Sequence, residues 1–154
     1  MASLTEQFII EAEAVHSVVH AIRREALEET IRLLVENVAP EKIFRSTLGL
    51  RIDRSSLAKM EIGISTMLAG IADTGSLVVD LSGADHLVSL LPTRHIAILH
   101  ESNLYATLSE FLMSPAAPLR YTQITGPSKT ADIEKILVYG AHGPVRLDIV
   151  LIQN

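Results

Sequence analysis

The sequence predicts an α/β fold, a largely parallel sheet covered by helices and preceded by two N-terminal helices. Three observations lead there. The first 38 residues space their apolar side chains three and four apart. From residue 41 onward, short apolar runs alternate with Gly, Pro and polar turns. The runs HIAIL at 95–99 and LDIVLI at 147–152 read as short buried strands. A chain of 154 residues fits one domain, with helices over 3–38 and a core over 42–152.

The elements follow in order. Phe8, Ile9, Ala12, Val15, Val19 and Ile22 share one face of a helix spanning 4–22, with Ser3 as N-cap and Glu6 completing a capping box. Ala26, Leu27, Thr30, Leu33, Leu34 and Val38 mark a second helix over 24–37, closed by Pro40. Residues 43–48 and 62–66 are weaker strand candidates. Strands over 67–72 and 77–81 are joined through 73–76, and 86–91 is a short helix ended by Pro92. After the 95–99 strand, Ser102 or Asn103 caps a helix over 104–113 with Leu104, Leu108, Phe111 and Leu112 on one face. A proline-rich loop at 114–118 precedes a strand at 121–125, a short helix at 129–135 and the terminal strand at 147–152.

Composition excludes several functions. The net charge of −5 disfavours a phosphate backbone, and 4% aromatic residues without Trp disfavour base stacking, so nucleic acid is not an expected partner. No cysteine is present, so this chain has no thiolate for a disulfide, an iron–sulfur cluster or nucleophilic catalysis. The apolar stretch 62–72 is far shorter than the ~20 residues of a membrane span. No signal-peptide pattern opens the chain, so the cytoplasm is the expected location.

Four constellations carry candidate chemistry. In GIADTGS, the turn Thr74-Gly75-Ser76 offers N–H groups and hydroxyls to an anion, and Asp73 is a candidate acid or base; a plain hairpin is the competing reading. TGPSKTADIE runs from an apolar strand into Gly126, Pro127, Ser128, Lys129 and Thr130, a strand–loop–helix that can take a phosphate or carboxylate. Lys129 adds a cation that can also serve as a base. Asp132 and Glu134 stand near the helix start, where they can equally answer its dipole. In YGAHGP, His142 beside Gly143 is a candidate acid–base group or a turn cap. In PTRH, Arg94 can clamp a carboxylate next to His95, or lie on the surface. The loop is not a phosphate-binding GxxxxGK[ST] motif, and no GxGxxG dinucleotide fingerprint occurs. His16 and His20, one turn apart on the expected helix, lack a third ligand and read as a surface pair; no metal site is expected. Arg23, Arg24, Glu25, Glu28, Glu29 and Arg32 read as a solvated face of mixed sign.

Together, GIADTGSLVV, SLLPTRHIAIL, ITGPSKTADIEKILVYGAHGP and LDIVLI, in this order, resemble the LUD (lactate-utilisation) domain over residues 62–152. The resemblance implies a three-layer α/β fold of the NagB/RpiA/CoA-transferase-like type. It implies a role in oxidising L-lactate to pyruvate beside iron–sulfur partner proteins, with no cofactor in this chain. The motif positions it carries over are Asp73, Thr74, Gly75, Ser76, Pro92, His95, Gly126, Pro127, Ser128, Lys129, Thr130, Asp132, Glu134, His142, Gly143 and Pro144. Relative to the family, the stretch 40–61 is compressed.

The leading expectation is an accessory or ligand-binding subunit in organic-acid oxidation. The loops at 73–76 and 125–134 would hold a small anion, Lys129 and Arg94 would supply charge, and Asp73, Asp132, Glu134 and His142 would handle protons. A stand-alone enzyme for a sugar phosphate or CoA ester, and a non-catalytic scaffold, stay open beside it, as does a homo-oligomer. Whether the chain is itself catalytic is not decided by its sequence.

Overall fold

A computed structural model describes residues 1–47, 51–83, 85–128 and 143–154. In chain order the elements are α1 (Leu4–Ala14), β1 (Val18–Arg23), α2 (Leu27–Val35), β2 (Ile43–Arg45), α3 (Arg54–Leu57), β3 (Ile62–Thr66), β4 (Ala69–Ile71), β5 (Ser76–Asp80), α4 (Asp85–Val88), β6 (Arg94–His100), β7 (Leu104–Tyr105), α5 (Leu108–Leu112), β8 (Tyr121–Ile124) and β9 (Arg146–Gln153). Five strands form a wholly parallel sheet in the order β1-β9-β6-β3-β2. Four more form a smaller mixed sheet, β7-β4-β5-β8. There β5 runs antiparallel to both β4 and β8, and β7 joins β4 in parallel.

The central strands explain the parallel sheet. Residues 95–99 of β6 and 147–152 of β9 are buried throughout, because both faces of the sheet are covered. On one face, Ile62, Ile64, Ile96, Ile98, Val150 and Ile152 meet Ile31 of α2. On the other, Ala97, Leu99, Leu147, Ile149 and Leu151 meet Phe8 and Ala12 of α1 and Leu77 and Val79 of the smaller sheet. This gives the three layers expected: α2, the parallel sheet, then α1 with the smaller sheet. Period-2 alternation sends Val78 to the outer side of β5, where Phe111 of α5 covers it.

Two of the expected helices give up part of their length to a strand. The capping box at Ser3 and Glu6 forms, with Ser3 Oγ accepting from the Glu6 N–H at 3.1 Å and Glu6 Oε2 accepting from the Ser3 N–H at 2.7 Å. The helix ends at Ala14, however, and not at residue 22. His16 turns left-handed at φ 71°. Its N–H donates to the Glu13 carbonyl at 2.9 Å, and the Ser17 N–H reaches back to Ala12 at 3.0 Å. That pair of bonds is a Schellman stop. The β-branched run beyond it enters β1 beside β9. His16 and His20 therefore do not share a helix face.

The second shortened helix is the one expected over 104–113. Leu104 and Tyr105 pair with β4 as a strand, and the N-cap is Thr107, whose Oγ1 accepts from the Glu110 N–H at 3.1 Å. Ser102 and Asn103 lie in the preceding 3-10 turn, and Leu112 is exposed. The helix expected over 129–135 lies outside the described residues. No helix among the described residues is long and apolar enough to cross a membrane.

Candidate functional site

Two of the sequence motifs meet at one end of α1, and a third joins them through Ser128. The β4–β5 turn carries Asp73 and Thr74 with exposed side chains, followed by buried Gly75 and Ser76. Gly75 has φ +63°, and a Cβ there would strike the Ala12 backbone. Gly126, after β8, has φ +73°, and a Cβ there would strike the Val15 carbonyl. Glycine is therefore needed at both places for conformation and for close approach. A chain of hydroxyls links the two loops. Thr74 Oγ1 lies 2.8 Å from Ser76 Oγ, which lies 2.7 Å from Thr125 Oγ1.

The third motif joins through the backbone. The Ser128 N–H donates to the Pro144 carbonyl at 2.7 Å, and the Val145 N–H donates to Thr93 at 2.9 Å. Gly143 has φ +138°, and a Cβ built on it would sit 3.5 Å from Ser128 Cβ. Beside them is an open cavity of about 200 Å³, lined by Ser89 and Leu90 after α4, by Gln123, Ile124, Thr125, Gly126, Pro127 and Ser128, and by Gly143 and Pro144. It has room for a small molecule and is below the usual ~300–1,000 Å³ of drug-sized pockets.

The adjacent residues Arg94 and His95 point to opposite faces of the parallel sheet. His95 faces α1 and is completely buried. Its Nε2 lies 2.9 Å from Ser65 Oγ, and its Nδ1 has no hydrogen-bond partner among the described residues. Burial pushes its pKa down to about 3, so the ring is neutral at ordinary pH.

Arg94 faces α2 and does clamp a carboxylate, but that of Asp148 in the same chain. Its Nε donates to Asp148 Oδ2 at 2.7 Å and its Nη1 to the Leu34 carbonyl at 2.8 Å. The structure thus does not bring Arg94 to the loops. Arg146 Nε and Nη2 donate to the same carboxylate at 3.0 and 3.1 Å, and His20 Nε2 lies 2.9 Å from its Oδ1. Burial alone would raise the Asp148 carboxyl, but bonds from Arg94, Arg146 and His20 hold it below the usual carboxylate range. An aspartate inside the apolar run LDIVLI was the sequence signal for this cluster.

Lys129, Thr130, Asp132, Glu134 and His142 lie outside the described residues. Among those described, no group of three or more His, Asp or Glu is arranged to hold a metal. Of the mixed-sign helix face, Glu29 pairs with Arg32 three positions on, whereas Glu28 reaches across to Arg45.

The profile of the LUD domain matches residues 49–152, two thirds of the chain, and the chain belongs to the LUD domain family. Among its relatives, a lactate utilization protein C of an Exiguobacterium species is 28% identical over 98% of this chain and 78% of its own length. That alignment runs over 180 positions, more than the chain's 154 residues, so the relative carries stretches that this chain lacks. Proteins of the same name from Halalkalibacterium halodurans and Bacillus subtilis are 36% and 34% identical over 61% and 60% of this chain. The matches span only 45% and 42% of those two proteins. A crystal structure of a DUF162 family protein from Deinococcus radiodurans superposes with a TM-score of 0.77 at 19% identity, covering 99% of each chain, and so shares the fold.

Proposed function

We propose that this LUD-domain chain takes part in lactate utilisation, binding a small organic anion of the L-lactate and pyruvate class in the cavity between the 125–128 loop and residues 143–144. The observation that carries this reading is the meeting of the 73–76 and 125–128 loops at the C-terminal end of α1, with residues 143–144 bonded to Ser128 beside a cavity that Thr125 and Ser128 help to line. The relatives named for lactate utilization support the substrate class. Lys129 follows Ser128 directly in sequence and is the proposed cation. Asp73, Asp132, Glu134 and His142 are proposed for proton handling. Oxidation of lactate releases two electrons and two protons. Without thiolates in this chain, the electrons pass to iron–sulfur partner proteins, in the cytoplasm.

A ligand that binds only the folded state raises the melting temperature. L-lactate or pyruvate is expected to do so for the parent protein, and Lys129→Ala is expected to abolish the rise while keeping the unliganded melting temperature. The test is a thermal-shift screen of L-lactate, pyruvate, sugar phosphates and CoA esters. Equal shifts in mutant and parent would remove Lys129 from the site. Stabilisation by phosphates alone would replace the lactate reading with a sugar-phosphate enzyme, and no stabilisation at all would favour a scaffold.

A further inference from the structure

The antiparallel register that sets Leu77 opposite Ile124 brings Ser76 and Thr125 side by side at the end of the β5–β8 pair. Ser76 is buried, and its Oγ is the middle of a chain of three hydroxyls. Thr74 Oγ1 lies on one side at 2.8 Å and Thr125 Oγ1 on the other at 2.7 Å. Thr74 meets solvent at one end. At the other end, Thr125 is part of the cavity lining. Both ends are fixed to α1. Gly75, between Thr74 and Ser76, lies against the Ala12 backbone, and Gly126, next to Thr125, lies against the Val15 carbonyl.

A hydroxyl has one proton to donate and lone pairs to accept with. Three hydroxyls joined by two hydrogen bonds use two protons and leave one over. Left on Ser76, that proton would be buried, with no further acceptor among the described residues. It therefore leaves from Thr74 into solvent or from Thr125 on the cavity side. An anion beside Thr125 selects the second arrangement: Thr74 donates to Ser76, Ser76 to Thr125, and Thr125 to the anion. Donors aligned in this way polarise one another, and a bond to an ionised acceptor is stronger than a neutral one. We infer that Thr125 Oγ1 donates to a carboxylate oxygen of the ligand, and that Ser76 is the positioning residue that turns the Thr125 proton toward it. This rests on the anion-binding reading above and gives that site a named donor. The attachment of both loops to α1 holds the donor in place before the ligand arrives.

The test is calorimetric titration of L-lactate and pyruvate into the parent, Thr125→Val, Thr125→Ser, Ser76→Ala, and Ser76→Ala combined with Thr125→Val. Each titration is run well below the variant's melting temperature, so that affinity is read on folded protein. Valine keeps the shape of threonine without its hydroxyl, and serine keeps the hydroxyl. Thr125→Val is expected to weaken binding about tenfold or more, the usual loss of a hydrogen bond to a charged group. Thr125→Ser is expected to restore binding to the parent level. Ser76→Ala is expected to weaken binding about threefold or more in the parent. In the Thr125→Val background it is expected to change nothing, because it acts through the Thr125 hydroxyl. Parent-like binding by Thr125→Val or by Ser76→Ala, equal losses in Thr125→Ser and Thr125→Val, or a Ser76→Ala loss that persists in the combined variant overturns this inference alone. Failure of both acids to bind the parent overturns the anion-binding reading together with it.

Discussion

Asp148→Asn is expected to destabilise the protein by about 3–5 kcal/mol at neutral pH, the usual loss when one partner of a buried ion cluster is removed. The substitution keeps the shape of the side chain and removes its charge. Asp148 has no solvent exposure, and its two oxygens accept from Arg94, Arg146 and His20. In the variant, two guanidinium groups face an amide that turns an N–H toward them or offers one neutral oxygen. Urea unfolding at pH 7 measures the loss, and a loss below about 1 kcal/mol would mean that the cluster is no more than a surface network.

The pH dependence has a definite sign. The folded carboxyl of Asp148 titrates below its unfolded value. Its stabilisation is therefore complete above the unfolded pKa near 3.9, and is lost as pH falls through the lower folded value. The gap between parent and Asp148→Asn should be constant from pH 7 to about 5 and narrow in stronger acid. His95 acts over a separate window. Its folded pKa is depressed from 6.5 to about 3, so only the unfolded chain takes up its proton between those values. Parent stability should decline as pH falls through that range, and His95→Gln should remove that part of the decline.

Gly126→Ala is expected to cost about 2–4 kcal/mol, combining a left-handed backbone with a collision that cannot be relieved by rotating a side chain. The atom it meets is the Val15 carbonyl, held within the turn that ends α1. The loop must lift away from α1, which separates Thr125 from Ser76 and opens the cavity. Two measurements check this. The melting temperature should fall, and stabilisation by L-lactate or pyruvate should vanish at temperatures where the variant is still folded. Gly75→Ala should behave alike, because its Cβ meets the Ala12 backbone one turn earlier. A variant that melts like the parent would show that the loop does not rest on the helix.

Much of this architecture was legible in the chain because burial writes itself into periodicity. HIAIL and LDIVLI are apolar on both faces, so their place in the centre of a parallel sheet was readable. The boundary between α1 and β1 was not. Val15, Val19 and Ile22 satisfy a helical spacing, and the stop signal is carried by His16, where glycine would have announced it. At 104–113, Leu104 fits the helical face but pairs with Gly70 across the smaller sheet, a non-local bond that no window of sequence contains.

The site was legible in part. The loops at 73–76 and 125–128 were recognisable by their glycines and hydroxyls, and they do meet. Arg94 and His95 look like one motif in the sequence, yet the pleat turns neighbouring side chains to opposite faces. One partner of each residue lies far off in the chain: Asp148, 54 residues from Arg94, and Ser65, 30 residues from His95. Such pairs follow from register, which becomes visible only when the strands are aligned.

The pairing of β1 with β9 has a kinetic meaning. The bond between His20 and Asp148 joins residues 128 apart, and parallel register binds all of β1 to residues 148–153 of β9. Closing so long a loop comes before any reward from the contact, so refolding belongs to the slower, milliseconds-to-seconds range of topologies dominated by distant contacts. Residues 143 and 144 run directly into β9. The cavity that residues 143 and 144 help to line therefore matures in the same late event that closes the sheet, when β1 and β9 have found each other.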